Sequence, residues 1–436
     1  MKNFINALGL IILLLVFPGC DDDSESSGSN RSAVKEASGQ WVSIINNGTY
    51  YSVMLDMTTA PSRIDVGKEY AEMILKVEPD FEEIIDSYLY EMSSQMDFKT
   101  LLASTKNIIP NVPQEFRDEI DGIALALSGK KDSLDDGALS RNEIYMANML
   151  PDVMRPFACS GLSVYGSLSE TGSTITARAL DWNGGSDSQL CKIQAVITIK
   201  NGTKSMCLIG YLGNMGVISA INDDKVFASI LDSPTMGTYS SVNKRSYVMD
   251  LRYALENETS LDAVAAYMIN SPAKYTFNHN IFLSNSSTSK VVEYNFNGYP
   301  LLGGNYSPAV RDDTSVLRDD AKWSHKNSIC VVNSFVLKDH FNNHNNSMAA
   351  DLTALNYLRW NNFSVLLAEK GAVVTKDELK QIISYKDPVN SKGDIYVKSN
   401  QQLIIVEPGK LLMDVYFRPV KGQSLNPEFV PIQVSF

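Results

Sequence analysis

The sequence predicts an α+β fold in which antiparallel sheets are covered by helices. Three observations carry this expectation. Apolar residues between positions 81 and 127 recur with the period of a helix face. From Gly161 onward the chain becomes a succession of short runs with strand character. Helical stretches interrupt those runs only occasionally, whereas a doubly wound parallel sheet needs a helix after nearly every strand. With 436 residues, 44% of them hydrophobic and 20% charged, the chain can bury a substantial core.

The N-terminus reads as an export signal over residues 1–19. Lys2 precedes an apolar run from Leu8 to Phe17, too short to span a bilayer comfortably, and Pro18, Gly19 and Cys20 follow. This order resembles the lipobox of bacterial lipoproteins, although Phe17 and Pro18 depart from its usual residues. It implies a lipid on the Cys20 thiol and membrane attachment at the cell envelope. Residues 20–40 are rich in Ser, Gly and Asp and read as a disordered tether.

Residues 41–158 read as helical. Phe81, Ile84, Ile85, Tyr88 and Leu89 form one apolar face, and Phe116, Ile120, Ile123, Ala124 and Leu127 form another, bracketed by Pro113 and Gly129. The pattern changes near residue 157. Strands are expected at Leu162 to Leu168, Thr174 to Leu180, Lys192 to Ile199, Met206 to Leu212, Val217 to Ile221 and Val226 to Leu231. Helices around Tyr247 to Glu256 and Leu261 to Ile269 come next, then strands at Ile281 to Ser284, Lys290 to Phe296 and Ile329 to Phe335. A long helix is expected over Ala350 to Glu369, and Thr375 with Glu378 forms a capping box for another. Ile395 to Val397, Leu403 to Val406 and Leu411 to Phe417 read as a closing meander.

A net charge of −12 without clustered Lys and Arg argues against a nucleic-acid partner. Besides Cys20 the chain carries Cys159, Cys191, Cys207 and Cys330. A turn at Asn201 and Gly202 would set Cys207 opposite Val196 and Cys191 opposite Leu212, so these two thiols would not meet. The four histidines are scattered, and His340 and His344 lack the Glu of a zinc-binding helix, which argues against a metal site.

The most informative segment runs from Phe157 to Trp182. Cys159 stands where helical sequence gives way to strand, and a turn at Gly172 returns the chain with Arg178 and Asp181 toward it. An Arg favours a thiolate, and a carboxylate can hold an adjacent amine. The spacing alone supports a nucleophile only weakly, because a buried thiol beside a structural Arg and Asp pair is the commoner arrangement. However, a Cys followed about twenty residues later by R-x-x-D and an aromatic resembles the start of the mature subunit in the cholylglycine hydrolase and acid ceramidase superfamily of N-terminal-nucleophile hydrolases. The closest similarity is to its isopenicillin N acyltransferase-like branch. The phrase E-I-D-G-I-A, Glu119 to Ala124, resembles that branch's propeptide helix.

The resemblance spans roughly residues 60 to 420 and implies an αββα sandwich, with residues 41–158 as propeptide and α chain and 159–436 as catalytic β chain. It implies self-cleavage between Ala158 and Cys159, after which the freed α-amine of Cys159 serves as base for its own thiol. Residue by residue it places Asp181 on that amine, Arg178 beside the thiol and Asn333, in V-V-N-S-F, at the oxyanion site. Asp232 falls where the family carries Asn or Glu, and Arg359 falls on a helix packed toward the site. No cofactor is implied, and the substrate would be a small-molecule amide. The second half-reaction would deliver the acyl group to water or to an amine. Two rivals stay open: a papain-like pairing of the cysteine with His279 or His325, and a degenerate envelope lipoprotein acting as a binding module.

Overall fold

The computed structural model describes residues 33–436 except 95, 155–158, 203, 234–238, 271–274, 296–306, 339 and 341–353. The expectations for the signal segment, Cys20, most of the tether, Ala158 and His344 therefore lie outside the described residues.

The chain opens with three strands, β1 (Glu36–Ser38), β2 (Val42–Asn46) and β3 (Tyr51–Asp56). Helices α1 (Arg63–Val77), α2 (Phe81–Ser93), α3 (Phe98–Ile108), α4 (Gln114–Ala126), α5 (Arg141–Asn148) and the single turn α6 (Leu150–Val153) come next. Strands β4 (Ser160–Val164) and β5 (Ile175–Asp181) form the expected hairpin. The short α7 (Gln189–Lys192) leads to β6 (Gln194–Asn201), β7 (Lys204–Tyr211), β8 (Ser219–Asn222) and β9 (Phe227–Asp232). Helices α8 (Tyr247–Asn257) and α9 (Leu261–Asn270) precede β10 (His279–Ser284), β11 (Ser289–Tyr294), β12 (Ala309–Arg311) and β13 (Ser328–Val332). Helices α10 (Ala354–Glu369) and α11 (Lys376–Ile383) then lead to β14 (Asn400–Glu407), β15 (Leu412–Phe417) and β16 (Val430–Gln433).

The strands form a ten-stranded sheet, β1-β2-β3-β6-β7-β8-β9-β10-β11-β12, and a six-stranded sheet, β13-β4-β5-β14-β15-β16. Alternation along each strand sorts side chains into layers. On β14, Ile404 and Val406 meet Val196, Cys207 and Ile221 of the larger sheet, while Leu403 and Ile405 turn to α10 and α11. On β6, Ala195, Ile197 and Ile199 face the other way, into a core shared with the helices from α1 to α9. The order helix, sheet, sheet, helix is the four-layer αββα sandwich that was expected.

Four local expectations need correction. Residues 41–158 are not wholly helical: alternation in Val42, Ile44 and in Tyr51, Val53, Leu55 builds β2 and β3, and β3 joins β6 as a parallel neighbour. Order also begins before residue 40, because Glu36–Ser38 pairs with β2. The β6–β7 hairpin is shifted, with Asn201 opposite Lys204 and Thr198 opposite Cys207, and Gly202 takes the positive φ of the turn. Cys207 and Cys191 are nonetheless both free thiols, and Cys191 bonds Gln401 Oε1 at 3.2 Å. Finally, Ile395 to Val397 forms no strand, and the closing meander is completed by β16.

The turn just before residue 155 is anchored to the rest of the chain. Ser246 Oγ and the Tyr247 N–H donate to the Asp152 carboxyl at 2.6 and 2.8 Å, so a residue on α6 caps α8. Burial pushes this carboxyl up to about 8, against the pull of those two hydrogen bonds. An unfolded Asp titrates near ~4, so the folded chain holds an extra proton between the two values. The associated stability is complete below the unfolded value and is lost as pH rises through about 8. The melting temperature is expected to decline from pH 5 to 9, and less steeply in Asp152→Asn; equal slopes for the two proteins would refute this assignment.

Candidate active site

Strand ends from both sheets converge on Cys159. The thiol stands just before β4, Asp181 ends β5, and Asn400 begins β14 beside it in register. Val332, at the end of β13, pairs with Ser160. Asn333 follows directly, at the end of β13 beside the start of β4. Asp232 ends β9 in the other sheet and lines the same small cavity as Cys159 and Arg178.

Arg178 lies beside the thiol, and Asp181 does not pair with Arg178 as a structural Arg and Asp pair would. Arg178 projects between the sheets because its β5 neighbours Ala177 and Ala179 face α10 and α11. It is fully buried; Nη2 donates to the Ile230 carbonyl at 3.1 Å and lies 3.7 Å from Cys159 Sγ, while Nε and Nη1 have no hydrogen-bond partner. The Asp181 carboxylate instead belongs to Arg359, whose Nη1 is 2.9 Å from Oδ2, and to the Asn400 side-chain amide on Oδ1. Arg359 thus reaches the site from α10, held also by Nε on the Asp394 carbonyl at 2.9 Å. Asn400 carried no signal in the sequence beyond a polar start to an apolar strand.

These contacts set the charges. Burial pushes the Cys159 thiol up to about 11; Arg178 draws it down and Asp181 pushes it up. Burial also lifts Asp181 to about 6, with Arg359 the main opposing influence. Burial lowers Arg178, and the nearby thiol and carboxylate raise it. In the intact chain the thiol is therefore neutral at pH 7. Its alkylation by iodoacetamide, read by intact mass on the uncleaved species, is expected to climb about tenfold per pH unit from 7 to 10. A plateau below pH 9 would contradict that.

Asn333 donates Nδ2 to the Asp232 carbonyl at 2.6 Å, while its Oδ1 has no partner. The Asp232 carboxylate accepts from the Ser233 N–H at 3.0 Å. Beside the Cys159 cavity, of about 10 Å³, lies a larger one of about 40 Å³. Pro151 and Trp182 border both. The larger cavity is lined by apolar residues from both sides of residue 159, among them Ile85, Leu150, Leu212 and Val248, and no charged side chain lines it. Trp182 is buried and donates Nε1 to Tyr88 Oη at 2.7 Å.

The three described histidines are engaged elsewhere. His279 is stacked between Tyr247 and Tyr294, its Nδ1 lies against the Phe277 carbonyl, and burial drives its pKa down to about 3. His325 bonds Ser364 and His340 bonds Glu293. Among the described residues no cluster suited to a metal ion occurs.

No family model and no curated protein matches the chain. Among solved structures it is similar to the Caenorhabditis elegans ortholog of N-acylethanolamine-hydrolyzing acid amidase. That match has 16% identity and a TM-score of 0.40, over 58% of this chain and 93% of that one. It is similar also to penicillin V acylase from Agrobacterium tumefaciens, with 12% identity and a TM-score of 0.38, over 63% and 86%. A mutant of the conjugated bile acid hydrolase from Clostridium perfringens matches with 11% identity and a TM-score of 0.35, over 64% and 97%.

Proposed function

We propose that this chain is a self-processing amidohydrolase of the N-terminal-nucleophile type, with Cys159 as nucleophile and an uncharged, apolar acyl group in its substrate. One observation carries the reading. Arg178 is a buried guanidinium beside the Cys159 sulfur, and the carboxylate that could have neutralised it is held by Arg359 and Asn400 instead. Its missing counter-charge is supplied when Cys159 becomes a thiolate.

In the first reaction the Cys159 thiol attacks the Ala158 carbonyl, the C–N bond breaks, and the acyl chain passes to sulfur while the nitrogen becomes a free amine. Water then hydrolyses the thioester, leaving a carboxylate on Ala158 and restoring the thiol. The new α-amine, with an ordinary pKa of roughly 8, takes the thiol proton in each later turnover. Asp181 accepts from that amine, and Arg359 and Asn400 fix the carboxylate. The second Nδ2–H of Asn333 donates to the oxyanion of the tetrahedral intermediate. The uncharged cavity beyond Trp182 takes the acyl group. The leaving amine departs with the proton, and water releases the acid. The phrase E-I-D-G-I-A supports a reading within the isopenicillin N acyltransferase-like branch, and the lipobox-like segment at Cys20 supports a lipid anchor at the cell envelope; loss of lipid labelling in Cys20→Ala tests the anchor.

Intact mass and N-terminal sequencing of the purified wild type should give two chains, the second beginning Cys159-Ser160-Gly161. The cleaved protein should release aminomethylcoumarin from its decanoyl amide faster than from its succinyl amide. A single uncleaved chain without turnover would overturn the proposal. Asn333→Ala is expected to lower kcat about 10²- to 10³-fold with little change in KM, because its donor acts on charge that develops in the transition state. A change confined to KM would remove Asn333 from the oxyanion site.

A further inference from the structure

We infer that Asn280 and Asn356 are positioning residues that clamp the backbone of Asn333 and so aim its side-chain amide. The inference rests on the oxyanion role proposed for Asn333. Beyond Val332, β13 leaves its ladder, and the backbone carbonyls of residues 333 and 334 have no strand partner in register. Two side-chain amides take them over. Asn280, on β10 of the opposite sheet, donates Nδ2 to the Val332 carbonyl at 3.0 Å and to the Ser334 carbonyl at 3.2 Å. Asn356, on α10, donates Nδ2 to the Asn333 carbonyl at 3.0 Å and to Ser334 Oγ at 3.1 Å. Both side chains are fully buried, and they approach from opposite faces of the six-stranded sheet.

Three consecutive carbonyls are therefore held around a turn already closed by the Ser334 N–H on the Val332 carbonyl at 2.7 Å. The arrangement leaves Asn333 little rotational freedom, so its Nδ2 stays on the Asp232 carbonyl with one N–H still available. Asn356 also lies one turn before Arg359 on the same face of α10. One rigid helix thus holds both the carboxylate that serves the base and the strand end that serves the oxyanion. Small errors in such positions are costly, because a displacement of about 1 Å can lower a rate about 10²-fold.

The test uses the cleaved two-chain protein and decanoyl aminomethylcoumarin. Asn280→Ala and Asn356→Ala should each lower kcat by about 10- to 100-fold with KM within about twofold. Combined with Asn333→Ala, neither should lower kcat further, because the group being aimed is already gone. The alkylation rate of Cys159 should match that of wild type in both single variants, which a general loosening of the site would not permit. Unchanged kcat in the single variants, or losses that multiply with that of Asn333→Ala, would overturn the clamp. If the wild type neither cleaves itself nor turns over the probe, the proposed function fails. The clamp is then judged on crystal structures of wild type and Asn356→Ala. A displaced Asn333 amide supports it, and an Asn333 still seated on the Asp232 carbonyl refutes it.

Discussion

A Cys159→Ala protein is expected to remain one full-length chain under conditions in which the wild type yields two, and to release no measurable product from any amide. Both losses trace to one sulfur atom. In the proposed mechanism the attack on the Ala158 carbonyl and the attack on substrate use the same nucleophile, and none of the site residues described around it takes its place. Arg178 and Arg359 are cations, Asp181 is held by Arg359 and Asn400, and the Asn333 amide is a donor without nucleophilic character. A chain supplied already cut, beginning at Ala in place of Cys159, would keep the base amine and the oxyanion donor but still fail in turnover. Cleavage of the Cys159→Ala precursor at the 158–159 bond would remove the thiol from the mechanism.

The same variant series separates this mechanism from a cysteine and histidine pair. His279 pairs with Asp232 across β9 and β10. A base whose pKa is pushed down to about 3 has almost no driving force to accept a thiol proton at pH 7. Replacing His279, His325, His340 and His344 together should leave self-cleavage intact. Loss of cleavage in a quadruple variant that still melts cooperatively would restore the histidine reading.

The parts legible in the sequence are those encoded by periodicity and end signals. The helix face Phe81, Ile84, Ile85, Tyr88 and Leu89 became α2, and the Thr375 and Glu378 box caps α11 with both reciprocal hydrogen bonds. The hairpin from Cys159 to Asp181 also formed as the turn at Gly172 predicts. Long-range pairing was not legible. Nothing near Asp181 announces that its partners would be Arg359 and Asn400, because that depends on how α10 and β14 dock on β5. The structural alternative, an Arg178 and Asp181 pair, fails for a simple reason. Positions 178 and 181 differ by an odd number, so on a strand their side chains leave opposite faces of the sheet. Asn280 and Asn356 were invisible for the same reason: each acts on a carbonyl more than twenty residues away.

Glu119→Ala is expected to destabilise the protein by about 3–5 kcal/mol, the usual cost of leaving a buried charge without its partner. Glu119 and Arg252 are both fully buried. Arg252 Nη2 donates to Glu119 Oε1 at 2.8 Å, its Nη1 to the other carboxylate oxygen, and its Nε to Glu256 at 2.9 Å. Arg63 closes the group through contacts with Glu119 and Glu256. Two guanidinium groups and two carboxylates balance here, and removing Glu119 leaves an excess positive charge over the Phe116 ring, 4.2 Å from Arg252. The carboxylate can reach Arg252 because α1 and α4 cross closely at Gly67 and Gly122, where an added Cβ on Gly122 would stand 2.2 Å from the Ile64 carbonyl oxygen. Arg63 and Glu119 precede the proposed cleavage point and Arg252 and Glu256 follow it. The same four residues would then form one tie between the two cleaved chains, beside the β3–β6 pairing, the Asp152 cap on α8 and the shared core. Urea denaturation in a Cys159→Ala background measures the cost within one chain, and gel filtration of the cleaved Glu119→Ala protein shows whether the chains part. Glu119→Gln, which keeps one hydrogen-bond acceptor but not the charge, should lose less. A cost below about 1 kcal/mol for Glu119→Ala would mean that Glu256 alone satisfies Arg252, and that shape rather than charge joins the halves.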